Sequence, residues 1–130
     1  MEKLKTILVV EDEKNLRDAL VDMLLLENFI TLEARNGKEG VTVALSRHPD
    51  LILLDLIMPE MDGMTVLKKV RADRWGATVP IIILTNLSAT KERQVEDMEE
   101  HKLVHYLIKS DWKLYDVIRE IKKILKISND

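Results

Sequence analysis

Three apolar runs and one mixed run in this 130-residue chain each end on a group able to do chemistry. Leu51-Ile52-Leu53-Leu54 runs into Asp55 and then into turn residues as far as Gly63. Ile7 to Val10 runs into Glu11-Asp12-Glu13, Val79 to Leu84 into Thr85-Asn86, and Leu103 to Ile108 into Lys109. Unbroken apolar rows of this length are expected for strands buried on both faces of a parallel sheet. The carboxyl edge of such a sheet is where ligands bind. With the strands parallel, Glu11, Asp12, Asp55, Thr85 and Lys109 converge on one rim: three carboxylates, a hydroxyl and an ammonium. Close carboxylates raise one another's pKa unless a cation joins them, and a cluster of hard oxygens suits Mg²⁺ rather than a soft metal. A magnesium ion held by one or two acids keeps coordination positions for water and a phosphate oxygen, which serves phosphoryl transfer. Asp55 is then the nucleophile that forms an aspartyl phosphate, with Lys109 on one phosphoryl oxygen and the Thr85 hydroxyl on another. Each residue alone has a plainer role. Asp55 caps the following loop, Glu11 and Asp12 cap the first helix, Thr85 is a β-former and Lys109 a solvated strand end. The coincidence of the right group on four strand ends favours the chemistry.

The elements that must position these groups follow from periodicity. Lys5 to Val10 reads as the first strand. Leu16, Ala19, Leu20, Met23 and Leu24 form a helical stripe, with Asn28 as a left-handed stop. Phe29 to Ala34 is the second strand, Asn36-Gly37 a turn signal, and Val41, Ala44 and Leu45 a short helix ended by His48-Pro49. Asp50 opens the strand that ends on Asp55, and Val66, Leu67 and Val70 mark a helix that runs out near Trp75-Gly76. Beyond the fourth strand, a helix is expected over 90–101 in which only Val95 and Met98 are apolar, so it docks weakly. The fifth strand is followed by Ser110-Asp111, an expected N-cap, and by a last helix with the stripe Leu114, Val117, Ile118, Ile121, Ile124 and Leu125. Strands alternating with helices require right-handed crossovers and a sheet covered on both faces, a doubly wound α/β domain. No repeat or linker interrupts it, so residues 1–130 are expected to be a single domain with no output domain.

Composition narrows the function classes. There is no cysteine, which excludes disulfides, thiolate metal sites and cysteine nucleophiles. Twenty basic residues against 23 acidic ones leave a net charge of -3, no footprint for nucleic acid or an anionic membrane. No apolar run reaches membrane-spanning length and the first residues lack a signal-peptide core, so a cytoplasmic protein is expected. His48, His101 and His105 show no metal-ligand spacing.

The acidic pair Glu11-Asp12, the Asp55-x-x-Met58-Pro59-x-x-x-Gly63 run, Thr85, and Tyr106 followed by Lys109 stand in the order and approximate spacing of one family. Over nearly its whole length the chain resembles a receiver domain of a bacterial two-component response regulator, of the CheY-like type. The resemblance implies a flavodoxin-like (βα)₅ fold with strand order 2-1-3-4-5. It implies that Asp55 accepts a phosphoryl group from a histidine kinase or a histidine phosphotransfer protein. Asp12, Asp55 and the Ile57 carbonyl would ligate Mg²⁺, with Glu11 acting through a water. Thr85 and Tyr106 would be the switch pair. Three positions depart from the family: Ser110 replaces the proline after the lysine, Lys102-Leu103 replaces a Gly-Ala, and Asn86 replaces a small residue. The first removes the usual ground for a cis bond in that loop. None removes a reactive group.

On this reading the chain is a signalling switch and an enzyme only toward its own phosphorylation and dephosphorylation. A phosphatase of the haloacid-dehalogenase type needs a second acid two residues after the nucleophile, and Ile57 stands there. A degenerate receiver acting as a phosphorylation-independent protein-binding module would gain nothing from clustered like charges. The signal is expected to leave through the face made by the helix at 90–101, the fifth strand and the last helix, around Glu96, Glu100, Tyr106, Arg119 and Lys122. Its receiver is a downstream protein or a second copy of the chain, paired acid to base across a two-fold axis. Neither nucleic acid nor a membrane is an expected direct partner.

Overall fold

The computed structural model describes residues 3–56, 58, 60–85, 104–108 and 113–127. In chain order the elements are β1 (Thr6–Val10), α1 (Lys14–Leu26), β2 (Ile30–Ala34), α2 (Gly37–Arg47), β3 (Leu51–Asp55), α3 (Gly63–Ala72), a 3₁₀ turn (Trp75–Ala77), β4 (Ile81–Thr85), β5 (Val104–Ile108) and α4 (Leu114–Ile124). The strands form one sheet in the order β2-β1-β3-β4-β5, every pairing parallel. The helix expected over 90–101 lies outside the described residues.

Alternation within each apolar row explains why the rows are unbroken. Leu8, Val10, Ile52, Leu54, Ile81 and Ile83 pack with Ala44 of α2 and Val66, Leu67 and Val70 of α3. Their neighbours Ile7, Val9, Leu51, Leu53, Ile82 and Leu84 pack on the other face with Leu20, Val21 and Leu24 of α1 and Val117, Ile118 and Ile121 of α4. Both faces are dry, so polar side chains have no place inside the sheet until the strands end. Each of the Val, Leu and Ile side chains stabilises the fold by about 1.5–3 kcal/mol through burial.

The helix ends show where local chemistry sets the boundaries. Asn28 is left-handed (φ 66°), as the stop after α1 requires. Asn36 is the N-cap of α2 rather than a free turn: its side chain accepts the Glu39 N–H at 2.8 Å. His48 closes α2 in the left-handed region (φ 48°) ahead of Pro49. Helix α4 does not use Ser110-Asp111 as its cap. It begins after Lys113, whose N–H donates to the Asp116 carboxylate at 2.8 Å, so the acid that closes the cap lies inside the first turn. Of the expected stripe Leu16, Ala19, Leu20, Met23 and Leu24, Leu20 and Leu24 are buried as expected, but the face is completed by Arg17 and Val21, and Leu16 and Met23 are only partly buried at its side.

Candidate functional site

The sheet register assembles the site. Val10 pairs with Leu54 across β1 and β3, which puts the next residues, Glu11 and Asp55, level with each other at the carboxyl edge. On the other side Asp55 pairs with Leu84, so Thr85 stands one residue beyond it at the end of β4. Tyr106 lies on β5 opposite Ile83. Glu11, Asp12 and Asp55 come together: one carboxylate oxygen from each lies within 4.8 Å of the others. Glu11 and Asp55 are buried, and Asp12 is exposed at the mouth. Ile57 and Lys109 lie outside the described residues, and so do the side chains of Thr85 and Tyr106.

The two buried acids are held from several directions. The Glu11 N–H donates to the Ala34 carbonyl at 3.1 Å, continuing the β1–β2 ladder past the end of the strand. The Glu11 carboxylate accepts the Glu13 N–H at 3.2 Å, so part of the helix-start role expected for it is also real. Burial pushes the Glu11 carboxyl up to about 8, helped by its hydrogen bond with the Asp55 side chain and by the Asp55 charge. Without a cation, Glu11 thus keeps its proton to higher pH than an ordinary carboxylate, hydrogen-bonded to the Asp55 side chain.

The loop after Asp55 is packed by small residues. Gly63 N–H donates to the Leu56 carbonyl at 2.8 Å, which folds the loop back onto its own strand. Asp62 then caps α3 through the Thr65 N–H at 2.9 Å, and Glu60 turns the chain in the left-handed region (φ 66°). At Gly37 a Cβ would lie 2.6 Å from the Met61 carbonyl oxygen, so the start of α2 closes on the same loop.

The donor set fits a small hard divalent cation. Oxygens on opposite sides of Mg²⁺ stand about 4.2 Å apart, twice the usual 2.1 Å bond, and one oxygen from each of the three carboxylates lies within 4.8 Å of the others. A cation here would neutralise the carboxylate charges and so offset the burial and the Asp55 interaction that raise the Glu11 carboxyl.

A family model described as "Response regulator receiver domain" matches residues 7–121. The chain belongs to that family. Receiver domains are phosphoacceptor signalling modules of two-component systems, and the flavodoxin-like sheet order found here is theirs. Among curated relatives, the chain is 35% identical over 123 residues to a protein-glutamate methylesterase/protein-glutamine glutaminase of Archaeoglobus fulgidus, covering 92% of this chain and 34% of that one. It is 33% identical over 95 residues to the phosphate regulon transcriptional regulatory protein PhoB of Pseudomonas aeruginosa, covering 73% of this chain and 41% of that one. The receiver thus spans well under half the length of either. Among solved structures, the receiver domain of a Pseudomonas aeruginosa sensor histidine kinase, with a magnesium ion coordinated in its active site cleft, superposes with a TM-score of 0.83 at 27% identity, over 95% of this chain and 99% of that one. Among the described residues no helix is long and apolar enough to cross a membrane.

Sequence reasoning missed two supports of this receiver site. Arg17 donates from Nη1 to the Glu11 carbonyl oxygen at 2.9 Å, and its Nε lies 3.5 Å from a Glu33 carboxylate oxygen. The signal was present: Arg17 stands at helical spacing with Leu20, Val21 and Leu24, a charge on an apolar stripe. Of the residues named for the output face, Glu96 and Glu100 lie outside the described residues. Lys122 pairs with Glu27 at 2.9 Å and is drawn toward the end of α1, whereas Arg119 stays exposed beside Asp116 and over the Tyr115 ring.

Proposed function

We propose that Asp55 of this receiver is the phosphoacceptor and that Mg²⁺ bound by Asp12, Asp55 and the Ile57 carbonyl, with Glu11 through a water, assists the transfer. The observation that carries this is the meeting of Glu11, Asp12 and Asp55 at the carboxyl edge of the sheet of a chain in the receiver family. A receiver of this family whose solved structure holds magnesium in its active site cleft supports the choice of ion.

An Asp55 carboxylate oxygen bonds to phosphorus as the phosphorus–nitrogen bond of a phosphohistidine breaks. The departing imidazole nitrogen keeps the electron pair and takes a proton. Mg²⁺ supplies charge neutralisation for the phosphoryl oxygens. The sheet does the positioning: Asp55 ends a strand buried on both faces, so its backbone has little freedom to retreat from the incoming group. Lys109 balances a further phosphoryl oxygen, and the Thr85 hydroxyl binds another, drawing Tyr106 inward as the switch. The donor is a histidine kinase, a histidine phosphotransfer protein or a small phosphodonor. The signal leaves through the 90–101 segment, β5 and α4, toward a downstream protein or a second copy of the chain.

Incubation with acetyl phosphate and Mg²⁺, followed by intact-mass measurement, tests the reading. The wild-type chain gains one phosphoryl group and Asp55→Asn gains none. Equal labelling of the two would remove Asp55 from the mechanism.

A further inference from the structure

Among the described residues the buried charged side chains are Glu11, Asp55 and Arg17. Two belong to the acid site, and the third touches it from behind. A buried guanidinium is costly in stability unless it is paired, and an apolar side chain at this helix position would pack against Leu20 and Val21 without that cost. The contacts of Arg17 show what the charge does instead. Its Nη1 hydrogen bond falls on the carbonyl of the peptide that joins Glu11 to Asp12. Its Nε faces Glu33, and the Glu11 N–H is taken by Ala34, so Ala34 holds the Glu11 backbone directly while its neighbour Glu33 holds Arg17. The Glu11–Asp12 peptide leads directly into the exposed Asp12, whose carboxylate meets those of Glu11 and Asp55, and the Arg17 hydrogen bond is made to that peptide's oxygen.

We infer that Arg17, braced by Glu33, is a positioning residue for the cation site: it fixes the Glu11–Asp12 peptide so that the Asp12 and Asp55 oxygens meet on one small ion. This rests on the reading of the site as a Mg²⁺ and phosphoacceptor centre. The inference carries a signature that plain loss of stability lacks. Mg²⁺ demands near-octahedral geometry at about 2.1 Å, whereas Ca²⁺ accepts about 2.3–2.6 Å and a variable ligand number. A site that loses its brace therefore loses Mg²⁺ more than Ca²⁺.

The test is calorimetric titration of Mg²⁺ and of Ca²⁺ into the wild-type chain, Arg17→Met, Glu33→Gln and Asp12→Ala, with thermal melts in chelator as the check on folding. Removal of the group that orients a ligand typically costs about 10–100-fold in metal affinity, so Arg17→Met should weaken Mg²⁺ at least about tenfold and Ca²⁺ by much less. Glu33→Gln, which leaves the buried side chain in place, should move the Mg²⁺/Ca²⁺ preference in the same direction by a smaller factor, and it decides the matter if Arg17→Met does not fold. Variants that bind both ions as wild type does, or lose both in equal proportion, overturn the positioning role while leaving the site intact. Wild-type protein that binds neither ion, or Asp12→Ala that binds both unchanged, overturns the site reading and this inference with it.

Discussion

A Cβ on Gly63 would lie 2.6 Å from the Asp55 carbonyl oxygen and 2.7 Å from the Leu56 Cα. Both obstacles are backbone, so neither can rotate aside, and the chain at Asp55 and Leu56 must move instead. Gly63→Ala should destabilise the fold by about 1–3 kcal/mol, the usual cost of overpacking. It should also lower the rate of labelling by acetyl phosphate, because the displaced backbone is that of Asp55 and Leu56. Chemical denaturation and labelling kinetics on the one variant check both. Wild-type behaviour in each would show that the loop has slack.

The Glu11 carboxyl sits at about 8 in the fold against 4.5 ordinarily, chiefly through burial and then through Asp55. Between those values the folded chain holds a proton that the unfolded chain releases. The metal-free fold should therefore be favoured at the low end and lose stability as pH rises from 4.5 toward 8. Glu11→Gln, which has no proton to lose, should flatten that slope in thermal melts made in chelator. Since the same proton competes with a cation, Mg²⁺ affinity of the wild type should rise over the same interval. A flat stability profile for the metal-free wild type would contradict the assignment.

Much of this was legible in the sequence, for a definite reason. The rows ending at Val10, Leu54 and Leu84 are apolar on both faces, which only a covered parallel sheet can use, and parallel strands send their ends to one rim. Asp55 and Glu11 were thus located by the strands alone. Arg17 was not, because its neighbour Leu16 offered an equally regular stripe and a periodicity of 3.6 residues does not choose between two faces one step apart. The cap of α4 was misplaced because Ser110-Asp111 has the better capping residues; Asp116, reaching back to the Lys113 N–H, fixes the start three residues later. The tie of Lys122 to Glu27 joins positions 95 residues apart, and no local pattern signals it.

Lys109 and the acids should divide their labour. On the proposed function, Lys109→Ala removes an ammonium that would balance the phosphoryl group, whereas carboxylates would hold the cation. Mg²⁺ affinity should stay near wild type while the change induced by phosphorylation is lost. Parallel titrations and circular dichroism with beryllofluoride measure the two, and equal losses in both would contradict the division.

Beryllofluoride with Mg²⁺ should alter amide exchange in β5 and along α4 and leave α1 and α2, residues 14–47, nearly unchanged. Arg119→Ala should weaken coupling to a partner more than Lys122→Ala, since Arg119 is exposed and Lys122 is held by Glu27. Changes confined to α1 and α2 would place the output toward the β2 edge of the sheet, away from β5.

The most direct measurement identifies the residue that carries the phosphoryl group. Reduction of the freshly phosphorylated chain with borohydride converts an acyl phosphate to an alcohol and spares free carboxylates, so peptide mass spectrometry shows which acid was modified. Homoserine at position 55, with Glu11 and Asp12 unmodified, is the predicted result. Reduction at Glu11 or Asp12, or label that resists borohydride altogether, would contradict the claim that Asp55 is the phosphoacceptor of this receiver.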